Sequence, residues 1–115
     1  MRVLVCGGRN YGNITRVAQT LDALAREGTL TIIEGGATGA DQIARQWWRH
    51  YSRGEIFTVR ADWKKNGKAA GPIRNQLMLD HYKPDIVVAF PGGSGTADMV
   101  RRAKAAGVKI CEIED

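Results

Sequence analysis

Short apolar runs of β character alternate along this chain with stretches of helical spacing, and most of the runs end in glycine. "RVLVC" (Arg2 to Cys6) stops at Gly7-Gly8, "TLTIIE" (Thr29 to Glu34) at Gly35-Gly36, and "DIVVAF" (Asp85 to Phe90) at Pro91-Gly92-Gly93. "EIFTV" (Glu55 to Val59) and "KICEIE" (Lys109 to Glu114) complete a set of five. Between the first two runs, Ile14, Val17, Ala18, Leu21, Leu24 and Ala25 recur at helical spacing, with Asn13 or Thr15 as the cap and Gly28 as the stop. Further helices are predicted from Gly39 or Ala40 to Ser52, from Pro72 to Tyr82, and from Gly95 to Ala106 with Gly107 ending it. The polar stretch Asp62 to Gly71 carries no period and reads as a long loop, a length that in compact domains is often functional.

Strand–helix alternation builds a parallel sheet covered on both faces, and the near-continuous apolar strands "VLV" and "IVVAF" suit burial on both sides. The expected fold is therefore α/β: a single Rossmann-like domain over residues 1–115, with a five-stranded parallel sheet in the order 3-2-1-4-5. That order puts strand 4 between Cys6 and Cys111, so no disulfide is expected. A chain of 115 residues builds its core without metal or disulfide staples, and neither cysteine has metal-ligand spacing. The start "MRVLVCGG" is too short and too glycine-broken for a secretory leader, and no run approaches ~18 apolar residues. A cytoplasmic location with no membrane partner, no metal and no cofactor is the expectation.

Ligands of open parallel sheets bind beyond the carboxyl ends of the strands, where strand order reverses. The glycine turns fall on that edge: Gly7-Gly8 with Arg9, Gly35-Gly36-Ala37 with Gly39, and Gly92-Gly93-Ser94-Gly95-Thr96. Helix starts there present unpaired amides and the positive end of a dipole, and glycine lets the backbone approach a phosphate. The net charge of +5 suits an anionic ligand as well as it suits solubility, and no tract of five like charges marks a nucleic-acid arm. "GGSGT" lacks the Lys-Ser/Thr ending of a P-loop, and no GxGxxG follows the first strand, so ATP hydrolysis and hydride transfer lose support. Arg74 and Asn75, placed in the first turn of the third helix, add a bidentate anion clamp and a polar neighbour suited to base or ribose.

"PGGSGT" preceded by "RNQLM" resembles the paired motif of the Lonely Guy proteins, arginine-lysine-x-x-methionine and then proline-glycine-glycine-x-glycine-threonine-x-x-glutamate. Together with "EGGATGAD" and "GKAAGPIRNQLM", essentially the whole chain is similar to the YspA-type, cpYpsA-related branch of the SLOG superfamily. The resemblance implies a Rossmann-like nucleotide-binding domain, often homo-oligomeric, that senses or processes nucleotide derivatives. Lonely Guy enzymes release a base from a nucleoside 5′-monophosphate with the arginine of the first motif and the glutamate of the second. Here the arginine falls on Arg74, the lysine on Asn75, the methionine on Met78, and the glutamate on Met99. Methionine cannot stabilise a developing oxocarbenium ion as a carboxylate does. Asp98 is adjacent but turned by ~100° on the helix, and Asp41 is the other acid on this edge.

The leading expectation is a module that binds a nucleotide or an ADP-ribose-like ligand. The alternative is an N-glycosidic hydrolase with Arg74, Asp41 and Asp98 as catalytic candidates. A third is single-stranded nucleic-acid binding, permitted by Trp63 beside Lys64, Lys65 and Lys68. The cluster Trp47, Trp48 and Tyr51 raises a further expectation: one tryptophan in the core and the other in a homo-oligomer interface, since neighbours on a helix diverge by ~100°.

Overall fold

The computed structural model describes residues 1–51 and 53–115. Five strands, β1 (Arg2–Cys6), β2 (Thr31–Glu34), β3 (Ile56–Thr58), β4 (Ile86–Ala89) and β5 (Lys109–Glu112), pair in parallel in the order β3-β2-β1-β4-β5. The helices are α1 (Ile14–Ala25), α2 (Ala40–Tyr51), α3 (Trp63–Asn66), α4 (Ala70–Tyr82) and α5 (Ser94–Ala105). Ser52, where the sequence puts the end of the second helix, lies outside the described residues.

Successive strand residues point to opposite faces, and here both faces are apolar. Val3, Val5, Ile32, Ile86 and Val88 pack with Val17 and Leu21 of α1 and with Ile43 and Ala44 of α2. Leu4, Ile33 and Val87 pack on the other side with Met78 and Leu79 of α4 and with Met99 and Ala103 of α5. A two-sided core is what the continuous hydrophobic strands require, and it absorbs Met78 and Met99 as packing residues. Cys6 and Cys111 are free thiols, as the strand order demands. Among the described residues no helix is long and apolar enough to cross a membrane.

Two expectations need correction. Asp62 to Gly71 is not a loop: α3 and a 3-10 turn (Gly67–Ala69) run directly into α4. The Asp62 side chain starts this segment by accepting the Lys65 amide at 3.1 Å, a local cap that hydrophobic periodicity does not register. Pro72 lies inside the first turn of α4, where its missing amide costs nothing, so Arg74 and Asn75 begin the second turn rather than the first. Trp47 and Trp48 both pack, half-buried, against the same core cluster. Trp47 stacks on Tyr51 at 4.7 Å and donates to Asp22 at 2.9 Å.

Pairing of Leu4 with Ile33 and of Cys6 with Ala89 brings the carboxyl ends of the central strands level. Their glycine turns then pack directly on one another. Gly8 donates to the Pro91 carbonyl at 2.9 Å, and its own carbonyl accepts from Ala40 and Tyr11, both at 3.2 Å. Gly39 has φ +73, and a Cβ there would lie 2.1 Å from the Gly8 oxygen. Both the conformation and the contact exclude a side chain. Gly39→Ala is expected to lower unfolding free energy by at least about 2 kcal/mol in urea titration. Gly12→Ala, where nothing lies within 4 Å of the added carbon, should change it by no more than about 0.5 kcal/mol.

Candidate functional site

The turn from β2 into α2 closes on the protein's own carboxylates. Asp41, in the first turn of α2, accepts the amides of Gly35 at 3.1 Å and Ala37 at 3.2 Å through Oδ2. Glu34, at 0% exposure, accepts the Gly36 amide at 2.7 Å and the Thr58 hydroxyl, and pairs with Arg45 Nη1 at 2.5 Å. A buried carboxylate is tolerated only with such partners. Burial and the nearby Glu34 charge push the Asp41 carboxyl up to about 6, although the Gly35 and Ala37 amides and Arg74 pull the other way.

The turn from β4 into α5 is different. Gly93 caps α5 with no side-chain hydrogen bond, and Gly93, Ser94 and Gly95 are exposed. The positive end of the helix dipole therefore opens outward. Gly92 is there for packing, since a Cβ would meet the Gly8 amide nitrogen at 2.7 Å and the Thr96 hydroxyl at 2.3 Å. Asn75, 4% exposed, holds this turn in place by donating to the Gly95 carbonyl at 3.2 Å and to Asp98 Oδ2 at 3.0 Å. Burial opposes the charge on Asp98, but hydrogen bonds from Arg102 and Asn75 outweigh it and hold the carboxyl below the usual carboxylate range.

Arg74 spans the two turns. Its Nη1 donates to the Gly35 carbonyl at 2.9 Å and its Nε to Asn75 Oδ1 at 3.0 Å. Among the described residues, the ion pairs are Arg45–Glu34, Arg101–Asp98 and Arg102–Asp98, so no carboxylate lies within 4.0 Å of this half-buried guanidinium. Burial shifts Arg74 downward from its ordinary pKa, and Asp41 offsets part of the shift. Gly35 is the spacer between the two: a Cβ there would stand 2.5 Å from Arg74 Nη1 and 3.1 Å from Asp41 Oδ2.

A cavity of about 670 Å³ opens at this rim. Of the residues singled out in the sequence, Gly7, Gly8, Arg9, Gly35, Ala37 and Asp41 line one part of it, Arg74, Asn75 and Asp98 another, and Gly93, Ser94, Gly95 and Thr96 a third. Gly36, Gly39 and Gly92 do not line it; Gly39 and Gly92 let their turns approach the Gly7–Arg9 turn, and Gly36 makes room for the Arg60 and Thr58 side chains. Arg101 is a lining residue that pattern reading misses, although its place three residues beyond Asp98 on one helix was visible. Trp63 and Lys68, noted in the sequence only beside a nucleic-acid reading, line the same cavity. Cys6 lies there too, but burial pushes its thiol up to about 12, which removes the thiolate a nucleophile needs. Among the described residues no cluster of three or more potential metal ligands occurs.

Comparison with known proteins places these residues in context. The family model described as "YspA, cpYpsA-related SLOG family" matches residues 1–66. The Gene 61 protein of Mycobacterium phage D29 is 38% identical over 122 residues, covering 99% of this chain and 97% of the phage protein. Among solved structures, TM1055 is similar with a TM-score of 0.71 at 19% identity, over 95% of this chain and 71% of that one. The C-terminal domain of PF1911 hydrogenase from Pyrococcus furiosus is similar with a TM-score of 0.58 at 15% identity, over 97% and 90%. At such identities the two structural likenesses speak for the fold alone.

The Asp41 carboxyl sets a pH dependence. Its folded pKa of about 6 lies above the ordinary 3.8, so the folded state holds the proton more tightly than the unfolded chain. That contribution is complete below pH ~4 and is lost as pH rises through about 6, a loss of about 3 kcal/mol. Urea unfolding from acid to neutral pH is expected to show Asp41→Asn losing markedly less stability than the wild-type chain. Parallel curves for the two would mean that Asp41 does not carry this proton.

Proposed function

We propose, from the premise that the chain belongs to the YspA, cpYpsA-related SLOG family, that it binds a phosphorylated, nucleotide-derived ligand at the carboxyl rim of the sheet. Membership in that family and the Rossmann-like fold fit a ligand-binding or processing domain. One observation carries the finer reading: a half-buried guanidinium without a carboxylate partner faces the same cavity as an uncapped helix start. A phosphate seated on the amides of Ser94, Gly95 and Thr96 gains the dipole of α5. It also supplies the anion that Arg74 lacks, with Nη2 of Arg74 as the donor not engaged by Gly35 or Asn75.

Around that point Arg9, Lys68 and Arg101 add positive charge, against Asp41 and Asp98. The volume is of the size that holds a nucleotide, within the ~300–1,000 Å³ typical of ligand sites. The β2–α2 turn contributes shape and its Gly35 carbonyl rather than free amides, because its amides already bond Glu34 and Asp41.

A second reading, hydrolysis of the N-glycosidic bond of a nucleoside 5′-monophosphate, is favoured by the divergent carboxyls of this cavity. Asp41, at about 6, can carry a proton to a leaving base, while Asp98 stays ionised and can stabilise positive charge at the sugar. Met99, at the position of the Lonely Guy glutamate, is fully buried in the core and takes no part. Self-association is also proposed: Ile73 and Leu77, one turn apart on α4, are 50% and 47% exposed. Light scattering showing only monomer would rule it out.

Calorimetry with adenosine 5′-monophosphate, ADP-ribose and ribose 5-phosphate tests the binding reading. Arg74→Ala is expected to weaken whichever binds by at least about tenfold, the value of a charged hydrogen bond. Gly35→Ala should act in the same direction, because its methyl displaces the flexible guanidinium rather than backbone. If none of the three phosphates binds the wild-type protein, the reading is wrong. Chromatography of the adenosine 5′-monophosphate mixture decides the second reading: free adenine that disappears in Asp98→Asn supports hydrolysis, and unchanged nucleotide excludes it.

A further inference from the structure

We infer that Trp63 is the stacking platform for the base of the bound nucleotide, with Arg9 as the second, movable jaw. The inference rests on the binding reading above and adds to it a residue that recognises an aromatic ring. Three tryptophans occur in the chain. Trp47 and Trp48 pack against the core, whereas Trp63 is 49% exposed and borders the cavity. Leaving much of an indole in water is unfavourable, and a large apolar surface beside a cavity is most simply explained by what the cavity takes in.

The ring is held where it can do this. Asp62 caps the short helix that begins with Trp63. Gly71, in the first turn of α4, provides the wall behind the ring, since a Cβ there would stand 3.4 Å from the indole Cη2. The Arg9 guanidinium already lies over the ring, 5.6 Å from its centroid. A planar base sandwiched between the two needs about 7 Å, two contact layers of ~3.5 Å. Arg9, on its flexible stem, swings out to admit it. Both partners are sequence-tolerant surfaces: an indole stacks on any base, and a guanidinium stacks on its opposite face.

Ser94, Gly95, Thr96 and Arg74, the phosphate-binding groups of the reading above, line the same cavity as Trp63 and Arg9. A ligand with phosphate at one end and a planar ring at the other thus meets complementary chemistry along its length. Lys64 and Lys65, on the same short helix, are exposed, so an extended nucleic acid is the competing occupant that the test must separate.

Calorimetry compares adenosine 5′-monophosphate with ribose 5-phosphate, which has the phosphate and sugar but no base, on wild type, Trp63→Ala and Trp63→Phe. Trp63→Ala is expected to weaken the nucleotide by at least about fivefold and to leave ribose 5-phosphate unchanged within about twofold. Trp63→Phe, which keeps a flat ring, should recover most of the loss and shows that the site is intact. Equal losses for both ligands, or no loss for the nucleotide, overturn the platform while leaving the phosphate site standing. Failure of both ligands to bind wild type removes the binding reading itself. A single-stranded oligonucleotide that binds more tightly than the mononucleotide, with affinity collapsing as salt rises, overturns the assignment in favour of a nucleic-acid surface.

Discussion

Close approach of three backbone turns at the carboxyl edge of the sheet is the constraint on which the rest of this molecule depends. Gly8 sits at the junction, donating to the β4–α5 turn and accepting from the start of α2. Around it, a Cβ on Gly39, Gly92 or Gly7 would collide with neighbouring atoms at 2.1, 2.3 and 2.6 Å. These contacts fix where the helices start and hence where their dipoles point. Much of the glycine in the chain is therefore used to bring backbone to backbone, and only part of it faces the cavity.

Electrostatic asymmetry between two of those turns then defines the site. One is neutralised internally: Asp41 and Glu34 take up its amides, at a cost that appears as the raised Asp41 pKa. The other is left open, with Gly93 as an uncapped helix start and Asn75 holding it from behind. Arg74 lies between them and is bonded to a carbonyl and an amide oxygen rather than to a carboxylate. The guanidinium's geometry is thus fixed by neutral partners, while Asp41 and Glu34 balance its charge only from beyond ion-pair distance.

Helix α3 and the run into α4 bear on the site in a way that pattern reading could not anticipate. The stretch has too few apolar residues to announce a helix, yet Asp62 is a sufficient cap and α4 extends to Ala70. Arg74 consequently sits one turn inside a helix, over Gly35, and not at an exposed helix end where the dipole would oppose it. Glu34 likewise looks in the sequence like the polar end of a strand, and only the approach of Arg45 and Thr58 shows that it is a buried anchor.

By itself the sequence determined the sheet, its strand order and the glycine-bearing rim, because alternating apolar periods and short connections leave few other ways to cover a parallel sheet. It also singled out several residues that line the cavity there, among them Arg74, Asp41 and Gly93 to Thr96, while missing Arg101. What only the tertiary structure decided is which of the rim's polar groups are already engaged. That depends on distances between groups far apart in the chain, such as Arg74 to Gly35 and Asn75 to Gly95. Hydrogen-bond partnership is a short-range property of three-dimensional position, and no local pattern of residues encodes it.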